Sequence, residues 1–190
     1  MGTIRSPDPA LMVVSAIYAD EISLESAGAR LAAVIGDVQP IGSEQAFDWT
    51  DYYQTEMGSA LRRRFMVARH LLPRQLLTEL KLLSNAIEQE LARPDGSRTI
   101  NLDPGLLTAE NFVLATTKNF AHRIYLREGI FAEVTLQFIR GAFEPLAWTY
   151  PDYRSEQIRS MFNEQRRSYL THLRGRPTVL AEDSFNKELL

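Results

Sequence analysis

The chain has 190 residues, 45% hydrophobic and 24% charged, with a formal net charge of −3 and no cysteine. That length allows one domain burying roughly 70% of its unfolded surface, and the slight acidity gives no basic track for nucleic acid or an anionic membrane. Without cysteine, disulfides, thiolate metal sites, iron–sulfur clusters and cysteine nucleophiles are excluded.

Residues 1–9 hold two prolines and read as a flexible arm without an apolar signal core, so a cytoplasmic protein is expected. "ALMVVSAIYA" (10–19) is a continuous apolar, β-branched run that suits a strand buried on both faces. "SLESAGARLAAVIG" then has helical spacing, with Ser23 as the expected N-cap and Gly36 as the stop. "AFDWTDYY" predicts a strand ending near Tyr53, and "RRRFMVARHLL" a further strand. "PRQLLTELKLLSNAIEQELA" is a helix opened by Pro73, ended by "PDG" at 94–96, and striped by Leu76, Leu80, Leu83 and Ile87. "SRTINLD" predicts a short strand closed by a type II turn at Asp103-Pro104-Gly105. Thr108 is then expected to cap a helix over "AENFVLATT". Two or three antiparallel strands follow (121–126, 130–139 and about 142–148), and an amphipathic helix presents Ile158, Met161, Phe162, Tyr169, Leu170 and Leu173 to the core.

The order through residue 102, strand–helix–strand–strand–helix–strand, is that of the split βαβ, ferredoxin-like fold. The expected architecture is a single α+β domain over 10–175. Its ferredoxin-like first half is extended by a helix, an antiparallel β-meander and a covering C-terminal helix, and 176–190 form a flexible tail.

The stretch "KNFAHRIYLREGIFAEVT" (118–135) can be folded from its alternation. A three-residue loop, Arg127-Glu128-Gly129, sets Ile124 against Ala132 and His122 against Val134 on an apolar face. The other face then carries Tyr125 with Phe131 and Arg123 with Glu133, while a two-residue loop would oppose Ile124 to Glu133 and mix the faces. His122 reads as a buried, hydrogen-bonded histidine, and Arg123–Glu133 as a cross-strand ion pair. Lys118, Arg123, Tyr125 and Thr135 also suit a phosphate or carboxylate ligand.

On the long helix Lys81, Asn85 and Glu88 share one face, which is either solvated or one wall of a polar cleft. Asn101 and Asp103 point to one side of a strand end. "FDWTDYYQTEMG" and "WTYPDYR" gather Tyr52, Tyr53, Glu56, Tyr150, Asp152, Tyr153 and Arg154 in segments too aromatic for ordinary loops. There is no G-x-x-x-x-G-K-[ST], G-x-G-x-x-G, H-E-x-x-H or G-x-S-x-G motif, and no metal site is expected.

These motifs, with "LKLLSNAIE", "NLDPGLLT", "ATTKNFAHRIYL" and "GIFAEVTL", resemble an uncharacterised bacterial family, domain of unknown function 4416, over roughly residues 10–172. The chain departs from its pattern with Ser84 for Thr, Leu106 for Tyr and Thr117 for Gly. Some members carry a GTP-binding label, which this sequence does not support: it lacks a phosphate loop and an N-K-x-D motif. The resemblance implies that Tyr52, Tyr53, Glu56, Lys81, Asn85, Glu88, Asn101, Asp103, Lys118, His122, Arg123, Glu133, Tyr150 and Arg154 form one cleft, and it identifies no cofactor. The expected ligand is a small anionic, phosphate- or nucleotide-like metabolite held by Lys118 and Arg123 and packed against the tyrosines. Glu133 or Asp103 would be the acid–base group of an enzyme. A protein-interaction module is the alternative.

Overall fold

The first half has the split βαβ arrangement that its element order predicts. A computed structural model, which describes residues 2–175, places β1 (Ala10–Tyr18), β2 (Val38–Ala46), β3 (Arg62–Leu72) and β4 (Ile100–Leu107) in the sequence β2-β3-β1-β4. The sheet continues through β5 (Asn111–Thr116), β7 (Ile130–Ile139) and β6 (Ile124–Arg127), with β8 (Ala142–Pro145) also on β7. Every pairing is antiparallel. Helices α1 (Glu21–Ile35) and α3 (Leu77–Glu90) bury one face of the sheet, and α4 (Glu156–Arg174) buries the other. A third cluster of Ile17, Phe47, Met57 and Leu61 closes one end near the short α2 (Gln54–Met57).

β1 is buried at all nine positions, as its unbroken apolar run requires of a strand covered on both faces. Helix α1 is capped by Asp20, not Ser23: the Asp20 carboxylate accepts from the Ser23 amide at 2.8 Å, and the Ser23 hydroxyl donates to it as well.

The aromatic segment near Tyr53 is not a strand. Thr50 accepts from the Tyr52 amide and starts a 3₁₀ turn at Asp51–Tyr53 that runs into α2. The strand lies earlier, at β2, where Pro40 and Gly42 obscure the alternation; both are tolerated because β2 is an edge strand.

Asp103-Pro104-Gly105 does not turn. Val14 pairs with Pro104 and Val13 with Gly105, so β4 runs on to Leu107. Pro104 lies where β4 has β1 on one side but β5 not yet on the other, and Gly105 makes room for Phe112.

The helix expected over "AENFVLATT" is strand β5. The Thr108 hydroxyl accepts from the Glu110 and Asn111 amides as an N-cap would, yet it stabilises the β4–β5 turn, closed by the Thr108 amide donating to Asn111 O. Phe112 and Leu114 then face α4 while Val113 and Ala115 face α3, a period of two.

In the β6–β7 hairpin Ile124 faces Ala132 and Tyr125 faces Phe131, as the alternation predicts. The loop is shorter than expected. Glu128 and Gly129, with φ of 54° and 75°, form the two-residue turn, and Arg127 faces Ile130. A bulge at Leu126 absorbs the extra residue, so both descriptions reach one register. The Ile124 face is not a buried apolar one, because β6 is exposed along its length and Ile124 is 70% exposed. His122 precedes the strand, stacks on Trp148 with 5.0 Å between ring centroids, and bonds Glu133.

Residues 2–9 form neither helix nor strand, but the Asp8 and Pro9 carbonyls accept from Arg74 and Tyr169. The expected tail at 176–190 lies outside the described residues.

A Cβ added at Gly105 would stand 2.6 Å from the Phe112 ring and 2.7 Å from the Val113 carbonyl. Gly105→Ala is therefore expected to cost about 1–3 kcal/mol by overpacking. Urea denaturation measures this; an unchanged midpoint contradicts the packing described.

Candidate functional site

β4 pairs with β1 from Tyr18↔Ile100 to Leu11↔Leu107, but with β5 only at Gly105–Leu107. From Ile100 to Pro104 its other edge has no strand beside it, so the sheet parts into a wedge. Buried backbone groups on such an edge must find other partners. Helix α3 supplies them. Lys81 Nζ donates to the Leu102 carbonyl at 2.8 Å, and the Leu102 amide donates to Glu88 Oε1 at 2.6 Å. Seven residues are two helical turns, which places Lys81 and Glu88 above the one residue Leu102, with Asn85 between them. Lys81 and Glu88 are therefore buried, 5% and 7% exposed, and do not form a solvated helix face.

The wedge opens into a cleft of about 620 Å³. Three of its cations have carboxylate partners. Arg63, on β3, forms a buried ion pair with Asp152, bonds the Ser15 hydroxyl at 2.9 Å and lies over the Phe65 and Tyr153 rings. Lys81 reaches Asp103 at 3.3 Å, and Asp103 also accepts from the Asn101 side-chain Nδ2 at 2.8 Å. Arg98 binds Glu56 through two nitrogens, donates to Asn101 Oδ1 at 2.7 Å and lies 3.7 Å from Glu88. Lys118 differs. Its ammonium lies 4.3 Å from the Tyr52 ring centroid and donates to the Tyr52 hydroxyl, with no carboxylate partner among the described residues.

The aromatic wall is equally ordered. Tyr52 and Tyr53 meet edge to face at 5.0 Å, and Tyr53 meets Phe47 at 5.9 Å. Trp49, Tyr52 and Tyr150 line the cleft yet stay 48%, 58% and 42% exposed. Burial pushes the Tyr53 and Tyr150 hydroxyls above the ordinary tyrosine range, reinforced at Tyr53 by Asp103 and at Tyr150 by Glu133. Both stay protonated and able to donate. Burial also raises the Glu88 carboxyl above the ordinary glutamate range against the pull of Lys81, whereas the Arg98 bonds hold Glu56 below it.

Glu133 borders the cleft with its side chain 1% exposed. Arg123 Nε donates to Oε2 at 2.7 Å, and His122 Nε2 lies 3.2 Å from the same oxygen. Oε1 has no donor among the described residues. Arg123 also donates to the Lys118 carbonyl at 2.9 Å and the Tyr150 hydroxyl at 2.8 Å.

Of the residues singled out from sequence, Tyr52, Tyr53, Lys81, Asn85, Glu88, Asn101, Asp103, Lys118, Glu133 and Tyr150 line this cleft. Glu56, His122 and Arg123 stand behind it, bonded to the lining residues Arg98 and Glu133. Arg154 lies further out, donating to the Thr149 and Ala147 carbonyls. Arg123 is thus a strut and does not face the cleft.

Arg63 and Arg98 escaped the sequence reading. The signal for Arg63 was present: it shares a strand face with Phe65 and Val67, so an arginine there is buried and needs an acid. Arg98 gave none, its partner lying forty-two positions away. Among the described residues no group of three or more histidine or acidic side chains is arranged to hold a metal ion.

A family model described as a domain of unknown function (DUF4416) matches residues 8–169. No curated protein and no solved structure matches the chain.

Two measurements check this geometry. Because the folded chain holds the Glu88 proton more tightly than the unfolded chain, that stabilisation is full at low pH and fades as pH rises from the ordinary carboxylate range through the raised value. Glu88→Gln keeps an acceptor for Leu102 and removes the titration. Its stability relative to the unchanged chain should therefore rise with pH across that window; a pH-independent difference contradicts a raised Glu88. Asp152→Ala strands the Arg63 guanidinium and should cost about 3–5 kcal/mol in chemical denaturation. A loss within about 0.5 kcal/mol, the scale of surface substitutions, would show that the pair is not buried.

Proposed function

The chain belongs to the DUF4416 family, and we propose that it is a cytoplasmic protein whose cleft binds a small anionic metabolite with a flat, phosphate- or nucleotide-like body. The observation that carries this reading is Lys118. Among the described cations of the cleft it alone lacks a carboxylate, and it is held at the mouth over Tyr52. An anion completes the charge balance there without displacing an internal partner.

Three further features support it. The volume lies within the range of about 300–1,000 Å³ usual for small-molecule sites. Trp49, Tyr52 and Tyr150 line the same cleft as Lys118 and keep their rings partly exposed, which suits stacking by a flat ring. Asp103 keeps 31% of its side chain exposed, so it is the carboxylate we assign to proton transfer if the bound metabolite is turned over.

A second reading, a protein-interaction module, draws on the edge strand β6. Ile124, Tyr125 and Leu126 are exposed there beside Phe120, and one edge of the strand carries no partner strand.

Calorimetry with nucleoside 5′-monophosphates, beside inorganic phosphate, tests the first reading. Lys118→Ala should weaken binding by about 1.5–3 kcal/mol, the scale of a charge-assisted hydrogen bond. It should leave the unliganded melting temperature nearly unchanged, since Lys118 is exposed. Binding unaffected by Lys118→Ala, or no binding, removes the anion site. A melting curve and elution volume that change only on replacing Ile124 and Tyr125 with polar residues would favour the second reading.

A further inference from the structure

Besides the Tyr153 hydroxyl, the described lining of the cleft contains one buried polar atom without a hydrogen-bond partner, and it is a carboxylate oxygen. Glu133 Oε1 is buried on a side chain 1% exposed, yet no donor among the described residues reaches it. Its companion Oε2 holds two contacts, with Arg123 and His122, neither of which lines the cleft. Buried carboxylate oxygens are almost always hydrogen-bonded, because leaving one unmatched costs its full desolvation. Glu133 borders the cleft, so its unmatched oxygen is an acceptor beside the space a ligand would fill.

The charge balance narrows the donor. Arg123 already neutralises Glu133 at 2.7 Å, so a second cation at Oε1 would bring a buried charge without a counter-charge of its own. A neutral N–H or O–H meets the need at no electrostatic cost. Asn85 adds a complementary requirement. Its side chain lines the same cleft and has no hydrogen bond within the described residues, so its amide can donate to a ligand carbonyl. An N–H beside a C=O in a flat ring is the lactam arrangement, and the exposed rings of Trp49 and Tyr52 suit the plane of such a ring.

We infer that the metabolite carries a lactam-type ring whose N–H bonds Glu133 Oε1, with its anionic group toward Lys118. This deepens the anion-binding reading above and rests on it.

The test is calorimetry on the full chain with uridine and inosine 5′-monophosphates, each with a ring N–H beside a carbonyl. Each is compared with its ring-N-methylated counterpart, which keeps the phosphate and the ring plane. At least one parent nucleotide should bind, and methylation should weaken it about ten- to a hundredfold, the range for a hydrogen bond to a charged group. Glu133→Gln should erase most of that discrimination, and Lys118→Ala should weaken parent and methylated forms by the same factor, leaving it intact. Since Glu133→Gln also loosens Arg123, the parent–methyl comparison on the unaltered chain decides alone. Equal binding of parent and methylated forms, still weakened by Lys118→Ala, overturns the lactam inference and leaves the anion site standing. Failure of both parent nucleotides to bind overturns both.

Discussion

The backbone of one residue governs this architecture. At Leu102 the sheet could have continued by pairing β4 with β5; instead the amide and carbonyl bond the carboxylate of Glu88 and the ammonium of Lys81. Each of those backbone groups, left unmatched, would cost about 1–3 kcal/mol. Because a helix provides the missing partners, β5 is free to swing away with β7, and the space between becomes a cleft with polar walls. The same device recurs on β7, where β6 and β8 leave a gap. There Trp148 Nε1 donates to the Val134 carbonyl at 2.8 Å, and the Thr149 hydroxyl to the Thr135 carbonyl at 2.5 Å. Side chains replace a strand at both places, and both border the 117–154 region that carries Lys118, Glu133 and Tyr150.

The ion pairs then act as braces. Arg63 ties β3 to the 150s loop through Asp152, Arg98 ties the segment before β4 to α2 through Glu56, and Arg127 ties the β6–β7 hairpin to α3 through Glu79. Arg123 joins three segments, at Glu133, the Lys118 carbonyl and Tyr150. A guanidinium suits this work, since its five donors lie in one plane and it keeps its charge at any physiological pH. Such pairs add little net stability compared with apolar packing, but they fix where each wall stands. The walls of a cleft with no covalent closure need such fixing.

Much of this was legible beforehand. Residues 10–102 follow the split βαβ order read from their runs and stops, although the second strand lies at Val38–Ala46 and not in the aromatic segment after it, and the Ile124↔Ala132 register followed from alternation alone. The failures share a cause: a local signal with two structural uses. Thr108 makes the amide contacts of an N-cap, yet these serve a β-turn equally well. Pro104-Gly105 has turn chemistry, yet β1 pairs through it and Phe112 needs the space above the glycine. Lys81, Asn85 and Glu88 were visible as one helix face, but the fate of that face depended on β5 leaving β4, a tertiary event without a local signature. For the same reason Lys118 and Arg123 looked alike as candidate anion holders, although one meets the cleft and the other braces it.

The bulge at Leu126 has a further effect on how this hairpin can vary. A two-residue turn would by itself set Ile124 opposite Glu133; the extra residue before it restores Ile124 to Ala132. The tip therefore works as a vernier, with loop length and bulge trading one residue against each other while the strands below keep their alignment. A chain that lost the bulge but gained one residue in the turn would present Glu133 unchanged. The length of an exposed tip is thus uncoupled from the aim of a buried carboxylate, and drift at the surface leaves the chemistry beneath it in place.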